Sequence, residues 1–394
     1  MYGSCGMHDM SCVASTTCTG RGLGDTTLAV WLAYLIRKAK LFNRHSKSHP
    51  SIATMPPRGQ KIQPRPIQES TVPWRRGRGR GRGLVAPADE RRRNFEFIAS
   101  VSRSSGLEKD GDTLKNASVQ EEYRGFVQEK LQGYWKQYRT EGICLDANAE
   151  RTRVEMEGNI LIMFRKLREG ISSSKRQDDF AIEVYETSLH LSVIFSSSTQ
   201  TMSILSHLLP DLYATSKKTP SQWTVLLALL HSLLAHHPSQ QAFYDKYREI
   251  LPSCRLSHAL ALWIKGVARS LHRNEPLQLS QRAQLAQIED LLPLPSEDNR
   301  QRPSTIPPLH GLAVESLLEA IRDLSRQSSW RILRSAYHEF GLPVADTRTW
   351  LTRQLLLPEV SGMALDAWLK VREEKEEISQ KEGAEGRWVV KNKR

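Results

Sequence analysis

From about Glu121 onward, the apolar side chains of the chain repeat at steps of three and four residues. This spacing places them on one stripe of a helix. The first stripe contains Tyr123, Phe126, Val127, Leu131, Tyr134, Trp135 and Tyr138, and further stripes occupy 154–167, 180–195, 202–213, 223–234, 243–251, 256–271 and 285–292. The separators are short and contain prolines. The pattern predicts an all-α solenoid of helical hairpins over residues 94–292, in which each hairpin buries one face on the next.

The pattern changes after a proline-rich segment, residues 293–310, which we interpret as a linker or loop. Beyond it the spacing predicts helices at 311–326, 329–340, 346–356 and 363–377. Two short strand candidates then flank a turn at Gly383 and Gly386. Helices followed by a small hairpin are typical of a winged helix, so we expect a winged-helix module over residues 311–394.

The charge of the chain is distributed unevenly along its 394 residues. Residues 1–93 hold 17 Lys and Arg against 5 Asp and Glu, whereas the remainder is almost neutral. Residues 44–93 are rich in Pro, Arg, Gly and Ser and carry too few apolar side chains to form a core. We therefore expect residues 1–93 to be a disordered basic tail. The apolar segment 26–36 is interpreted as a loose extension, with a targeting helix as the alternative.

The sharpest local signal is the Arg-Gly run, Trp74 to Gly83, in which arginines alternate with glycines on a flexible backbone. Guanidinium groups spaced in this way can reach phosphates in many geometries and can stack on exposed bases. We expect RNA binding that is independent of sequence and sensitive to salt, and the residues that would carry it are Arg75, Arg76, Arg78, Arg80 and Arg82. The alternative is a nuclear-import or arginine-methylation segment. Both interpretations place the protein in the nucleus.

The remaining chemistry-bearing residues form no catalytic or metal-binding pattern. The five cysteines are irregularly spaced and include no Cys-x-x-Cys, which argues against a disulfide framework or a structural zinc site. The histidines of the helical region lack acidic or cysteine partners at helical spacing, and no apolar stretch reaches the ~18 residues of a membrane span. We expect no cofactor, no metal, no membrane partner and no enzymatic activity, unless an active site is assembled from distant residues.

Two segments carry a resemblance to a known family. Residues 180–187 read Phe-Ala-Ile-Glu-Val-Tyr-Glu-Thr, and residues 208–213 read Leu-Leu-Pro-Asp-Leu-Tyr. The chain resembles a diverged member of the GANP-type PCI-domain family in these segments, although residues 188–190 (Ser-Leu-His) replace the usual His-Ala-Arg. The resemblance implies helical hairpins capped by a winged helix. It also implies scaffolding in messenger-RNA export or transcription-coupled splicing, together with a second PCI protein and a small acidic subunit.

The expected winged-helix module offers its own candidate nucleic-acid contacts. Cations on the presumed recognition helix and on the wing usually face a duplex, and these are Arg348 and Arg353 on the helix and Arg387, Lys391 and Lys393 on the wing. The alternative is a solvated charged face. The four tryptophans of the module are interpreted as core anchors, since each falls within an apolar stripe or strand.

The leading hypothesis is therefore a non-enzymatic nuclear scaffold that pairs with another PCI protein and binds RNA. One alternative is a subunit of a proteasome-lid, signalosome or translation-initiation assembly, which share helical stacks that end in a winged helix. A third hypothesis is an organelle-targeted RNA-processing enzyme whose first 45 residues are a transit peptide.

Overall fold

The computed structural model describes residues 95–101, 111–138, 147–252, 254, 256–292, 308–358 and 363–391, all within one compact unit. This part of the chain is mostly helical, as the periodicity predicts, and contains thirteen α-helices and one small antiparallel sheet. The predicted basic tail with its Arg-Gly run, most of the predicted linker, and Lys393 lie outside the described residues.

We define the helical body as residues 95–326. Its described residues include ten α-helices before residue 293 and the first part of a long helix that begins at Leu309. The ten helices are α1 (Ala117–Tyr138), α2 (Ala147–Ser173), α3 (Asp179–Ile194), α4 (Ser198–His207), α5 (Tyr213–Ser216), α6 (Gln222–Ala235), α7 (Gln241–Ile250), α8 (His258–His272), α9 (Pro276–Arg282) and α10 (Leu285–Leu291). A π-helical turn, Leu208–Leu212, connects α4 to α5. Of these, α9 is a helix that the apolar spacing did not predict.

Polar side chains begin three of these helices. Asp178 accepts a hydrogen bond from the backbone N–H of Ala181 at the start of α3, and Ser221 and Ser257 cap α6 and α8 in the same way. Such caps satisfy N–H groups that have no partner within the helix. These caps fix the first residue of each helix. They therefore set which apolar side chains face the neighbouring helices.

Neighbouring helices in the chain pack on one another, and one distant helix then closes the core. The pairs α1–α2, α2–α3, α3–α4, α6–α7 and α8–α9 are in contact. The long helix α11 (Leu309–Ala336) packs on both α3 and α6. Its buried Val314, Leu318 and Ile321 join the hydrophobic core that begins at Ile98.

Helix α11 corrects the prediction of two helices at 311–326 and 329–340. The structure has one helix of 28 residues, and its first residues, Leu309 and His310, belong to the segment predicted as a linker. No glycine or proline separates the two predicted helices, so the backbone has no reason to break at Gln327 and Ser328. The apolar residues move to a different face of the helix at this point. Residues up to Ile321 pack against the helical body, whereas Trp330 and Leu333 pack against the terminal sheet.

The terminal module, residues 330–391, contains β1 (Glu339–Gly341), α12 (Ala345–Gln354), α13 (Met363–Glu374), β2 (Ile378–Gln380) and β3 (Arg387–Val390). The sheet order is β1-β3-β2, and both pairs of strands are antiparallel. The predicted β2–β3 hairpin is confirmed, with Gly383 and Gly386 at φ of 75° and 74°, where glycine adapts best. Strand β1 lies where the sequence predicted the end of a helix.

A second hydrophobic core holds this module together. Trp330 on α11 and Trp388 on β3 are 2% and 7% exposed, which confirms them as core anchors. The rings of Trp330 and Trp368 lie perpendicular with centroids 4.7 Å apart, whereas Trp368 and Trp350 are only partly buried. The division between the two cores therefore falls within α11, between Ile321 and Trp330, and not at residue 311.

Buried ion pairs on α11 fasten the module to the body. Arg326 donates from Nε to the carbonyl oxygen of Leu355 at 2.7 Å and from Nη2 to that of Leu356 at 3.1 Å. Its charge is balanced by Glu319, which is 1% exposed and also binds Arg322. These bonds hold the end of α12 against α11, and α9 also packs on α12.

Within the described residues, no helix combines the length and the apolar character that a membrane crossing requires.

Candidate functional site

The first motif segment, residues 180–187, lies in the first half of α3 and contacts several other helices. Glu183 receives two hydrogen bonds from the guanidinium of Arg124 on α1, at 2.7 and 3.3 Å. The Thr187 hydroxyl donates to the same carboxylate at 3.0 Å. The segment therefore fastens α3 to α1.

Glu186 connects the same segment to the second motif segment, residues 208–213. The Tyr213 hydroxyl donates to Glu186 Oε1 at 2.5 Å, and the Thr224 hydroxyl on α6 donates to the same oxygen at 2.7 Å. Burial and the nearby Glu186 carboxylate raise the pKa of Tyr213, so the phenol remains the donor. The two segments that carry the family resemblance are thus in direct contact.

Tyr185 faces the opposite direction, towards α2 and α4. It is 4% exposed, and its ring centroid lies 5.0 Å from that of His207. The guanidinium carbon of Arg168 lies 5.9 Å from the ring. Tyr185 therefore forms one wall of the space between α2 and α4.

This space is a surface pocket of about 640 Å³, which we call the Arg168 pocket. Residues of α2 and α4 form most of its lining, including Arg165, Arg168, Glu169, Thr199, Gln200 and Ser203. Glu169 accepts a short hydrogen bond from Ser100 and lies 3.6 Å from Arg165 Nε. Most of the lining residues have polar or charged side chains, and they include two arginines and one carboxylate that already has partners.

Arg168 is an unusual side chain for a helix interior because it is charged and only 8% exposed. Its Nη2 lies 3.4 Å from Gln200 Oε1, a long hydrogen bond. Its buried Nε has no hydrogen-bond partner among the residues that the structure describes. Burial lowers the pKa of the guanidinium. The described residues therefore satisfy this cation incompletely.

A second titratable group, His190, lies near Glu186 on α3. The pKa of His190 is lowered to about 4, mainly by burial and also by the nearby His310, while Glu186 opposes the shift. Its Nε2 is buried without a hydrogen-bond partner in the described part of the chain. His310 packs on Trp223, with ring centroids 4.5 Å apart. No group of three His, Cys, Asp or Glu side chains within the described ranges could hold a metal ion.

Four of the cations predicted on the terminal module are described, Arg348, Arg353, Arg387 and Lys391, and all are at least partly exposed. Arg348 and Arg387 form ion pairs. Arg348 binds Asp366 through two hydrogen bonds of 2.9 and 3.1 Å. Arg387 Nη1 lies 3.4 Å from Glu339, which also accepts from Lys381 at 2.9 Å. The hydrogen bond from Lys381 and the charge of Arg387 lower the pKa of Glu339. Their role in nucleic-acid binding stays a prediction.

Arg348 and Arg353 lie on the helix predicted at 346–356, and the assignment of that helix as a recognition helix stays a prediction. Both lie on α12, whereas α13 follows it and leads directly into the β2–β3 hairpin. In a helix-turn-helix the second helix enters the groove, and here the second helix is α13. The sequence of α13 contains three acidic and two basic residues. One of the basic residues, Arg372, forms an ion pair with Glu377, with Nη1 3.3 Å from Oε2. That helix does not present the basic face that a duplex requires.

The pocket was missed in the sequence, although one signal was present. Arg168 falls on the apolar stripe of α2, between Phe164 and Ile171, where a charged side chain is unexpected. The residues that complete the pocket lie on α4, and no local pattern places that helix opposite Arg168.

A comparison of the chain with protein-family models, curated proteins and solved structures finds no match in any of the three.

Proposed function

We propose that this chain is a non-enzymatic nuclear scaffold of the GANP-type PCI kind, which pairs with a second PCI protein and binds RNA. In this proposal the helical body is an irregular solenoid and the terminal module is its winged helix. A small acidic subunit completes the assembly. The setting is messenger-RNA export or transcription-coupled splicing.

The contact between Glu186 and Tyr213 carries the proposal. It joins the two segments on which the family resemblance rests, and both side chains are held in a helix–helix junction instead of lying apart on the surface. Helix α3 packs on α4 and on the π-helical turn that follows α4, which is the hairpin arrangement that the resemblance implies for these segments. Their contact supports a shared architecture with the family.

The order of elements in the terminal module supports its assignment as a winged helix. The end of α11 is followed by a strand, two helices and a hairpin, and the three strands form one antiparallel sheet. Helix α11 runs from the body core into this module without a break. Such a rigid link suits a domain that presents its last module to a partner.

Exposed apolar side chains favour a protein as the partner of the terminal module. Tyr337 and Val344 are 43% and 56% exposed, and both flank β1. The ring of Tyr337 lies 5.5 Å from that of the half-buried Trp350. Apolar and aromatic surface of this kind is enriched at the centres of protein interfaces. Since α13 is not basic, we propose that the module pairs with protein and that RNA binds elsewhere.

A face of α8 supports RNA binding by the helical body. No Asp or Glu occurs between Leu251 and Asn274, and Arg269, His272 and Arg273 are exposed at the end of α8. Lys265 lies one turn earlier, with its ammonium 4.7 Å from the Tyr247 ring centroid. Arg273 Nη1 lies 3.8 Å from Glu275 in a largely exposed pair, and the other cations leave this face with a positive charge that attracts phosphates. We propose that this face and the Arg-Gly run together hold RNA.

RNA affinity as a function of salt tests this part of the proposal. Replacing Arg75, Arg76, Arg78, Arg80 and Arg82 with Ala should weaken binding of a single-stranded RNA and should lower the salt slope by about one unit for each phosphate that is no longer bound. Arg269→Ser with Arg273→Ser should act in the same direction. Arg151→Ser, an exposed arginine on α2, is the matched control and should leave the slope unchanged. Unchanged affinity and slope in both sets of variants would refute RNA binding by these surfaces.

A further inference from the structure

The Arg168 pocket is not required by the proposed scaffold function, and its chemistry indicates a ligand of its own. Its one described carboxylate, Glu169, already interacts with Ser100 and Arg165. The charge of Arg168 therefore lacks a carboxylate partner within hydrogen-bond distance among the described residues. Arg168 lines the pocket, and its hydrogen bond to Gln200 is long, so an acceptor bound in the pocket would give the cation a stronger partner.

The start of α4 adds a second source of positive potential to the same pocket. The N-cap residue Ser197 makes no side-chain capping bond, so it leaves the N–H groups of the first turn without that partner. Thr199 and Gln200 of this first turn line the pocket. The dipole of a helix favours an anion at its N-terminus, and here it acts beside the buried Arg168.

Hydroxyl groups complete the lining. Ser172 on α2 and Thr199 and Ser203 on α4 each provide a group that can donate to an oxygen. A planar guanidinium, several hydroxyls and a helix N-terminus, arranged around one space, match a tetrahedral oxyanion that has an oxygen for each of them. A flat carboxylate offers only two oxygens to these donors.

We propose that the Arg168 pocket binds the phosphate group of a phosphorylated small molecule. The phosphate lies between the Arg168 guanidinium and the first turn of α4. The volume of about 640 Å³ leaves room for an organic group attached to the phosphate. No reaction is assigned to the pocket, because no nucleophile paired with a base lines it in the described residues.

Calorimetric titration of the full chain, in buffer without phosphate or sulfate, tests the proposal with three probes. The probes are inorganic phosphate, 5′-AMP and adenosine. We expect 5′-AMP to bind about 10-fold or more tightly than adenosine, which lacks the phosphate. Binding of inorganic phosphate alone would assign the site to the free ion, and stronger binding of 5′-AMP would assign it to a phosphorylated organic molecule. Absence of binding by both phosphate probes would overturn the proposal.

Gln200→Glu tests the position of the site without removing Arg168. The new carboxylate would lie where Gln200 Oε1 now accepts from Arg168, and it would neutralise the cation while keeping the side-chain shape. We expect unchanged or raised thermal stability and about 10-fold or more weaker phosphate binding. Gln278→Glu, the same change at an exposed position on α9 outside the pocket lining, should bind as the unaltered chain does.

If Gln200→Glu binds the phosphate probe as tightly as the unaltered chain, the Arg168 pocket is not the site and the proposal fails. This outcome is separate from the scaffold proposal, whose tests concern the Arg-Gly run, the α8 face and the terminal module. A folded Gln200→Glu variant that loses phosphate binding, while RNA binding persists, would support the pocket independently.

Discussion

The carboxylate of Glu186 shows what the family-like segment does at the scale of single residues. One of its oxygens accepts hydrogen bonds from Tyr213 and Thr224, which lie on two other elements. The same segment binds Arg124 through Glu183 and forms a pocket wall through Tyr185. Its residues thus contact at least four other helices, so the segment helps to set how these helices pack.

Removing the Tyr213 hydroxyl should measure this contact. Tyr213→Phe leaves the ring in place and removes one charge-assisted hydrogen bond to Glu186, so we expect the free energy of unfolding to fall by about 1–3 kcal/mol. Chemical denaturation followed by circular dichroism checks it. Tyr244→Phe, on a half-buried tyrosine of α7, is the control and should change stability by less than about 0.5 kcal/mol. Equal stability of the two variants would contradict the importance of the contact.

His190 should make stability depend on pH. The unfolded chain binds a proton at this histidine near its ordinary pKa of 6.5, whereas in the folded protein burial lowers the pKa to about 4. The folded state therefore binds fewer protons between these values, and the free energy of unfolding should decrease as pH falls from 6.5 to 4, by up to about 3 kcal/mol. Above pH 6.5 this contribution is fully present.

Denaturation of the unaltered chain and of His190→Leu across this pH range checks the expectation. The variant should show a smaller loss of stability on acidification, because its side chain does not titrate. His258→Gln, at an exposed position on α8, should retain the full pH dependence. The same slope in His190→Leu and the unaltered chain would show that His190 is not the group responsible.

Helix α11 shows at the scale of elements where local pattern succeeds and where it fails. Its helical character was predictable from spacing over most of its length, but its continuity was not. The apolar stripe faces α3 and α6 in the first part and the terminal sheet in the second. In the sequence, a continuous helix that packs on two different surfaces shows the same shift in its apolar positions as two separate helices. Only the tertiary structure distinguishes these two cases.

A proline within α11 tests its continuity. Gln327 lies between the two helices that the sequence predicted and within the single helix observed. Gln327→Pro removes an internal hydrogen bond and clashes with the preceding turn, so we expect a loss of about 3 kcal/mol or more. Gln327→Ala should be nearly neutral. If the proline variant is as stable as the alanine variant, the segment is a break between two helices.

The short strands mark another limit of local prediction at this scale. The β2–β3 hairpin was predictable because glycines bracket the turn and β-prone residues follow it. Strand β1 has three residues, and its partner β3 lies almost fifty positions later. Phe340 in β1 pairs with Trp388, a match that no local pattern reveals. The aromatic Phe340 of β1 therefore fitted the end of the helical apolar stripe predicted over 329–340.

At the scale of the whole molecule, the chain combines a helical body, a terminal module and a basic segment that is rich in arginine. The mostly helical fold and the positions of most helices could be predicted from the spacing of apolar residues, because that spacing depends only on residues close together in the sequence. The packing of α11 on α3 and α6 could not, because α11 begins more than a hundred residues after the end of α3 and more than seventy after the end of α6. The Arg168 pocket belongs to the same category, since its walls come from separate helices.

Partner recovery tests the central claim, which is that this chain is a scaffold that pairs through its terminal module. The tagged full-length chain is purified from nuclease-treated nuclear extract and its partners are identified by mass spectrometry. Val344→Glu places a charge in the exposed apolar surface beside β1, and Leu262→Glu places the same charge on exposed α8. We expect a second PCI protein and a small acidic subunit with the unaltered chain and with Leu262→Glu, and loss of the PCI protein with Val344→Glu. Recovery of proteasome-lid, signalosome or initiation-factor subunits, or of no PCI protein from any of the three, would contradict the proposed function.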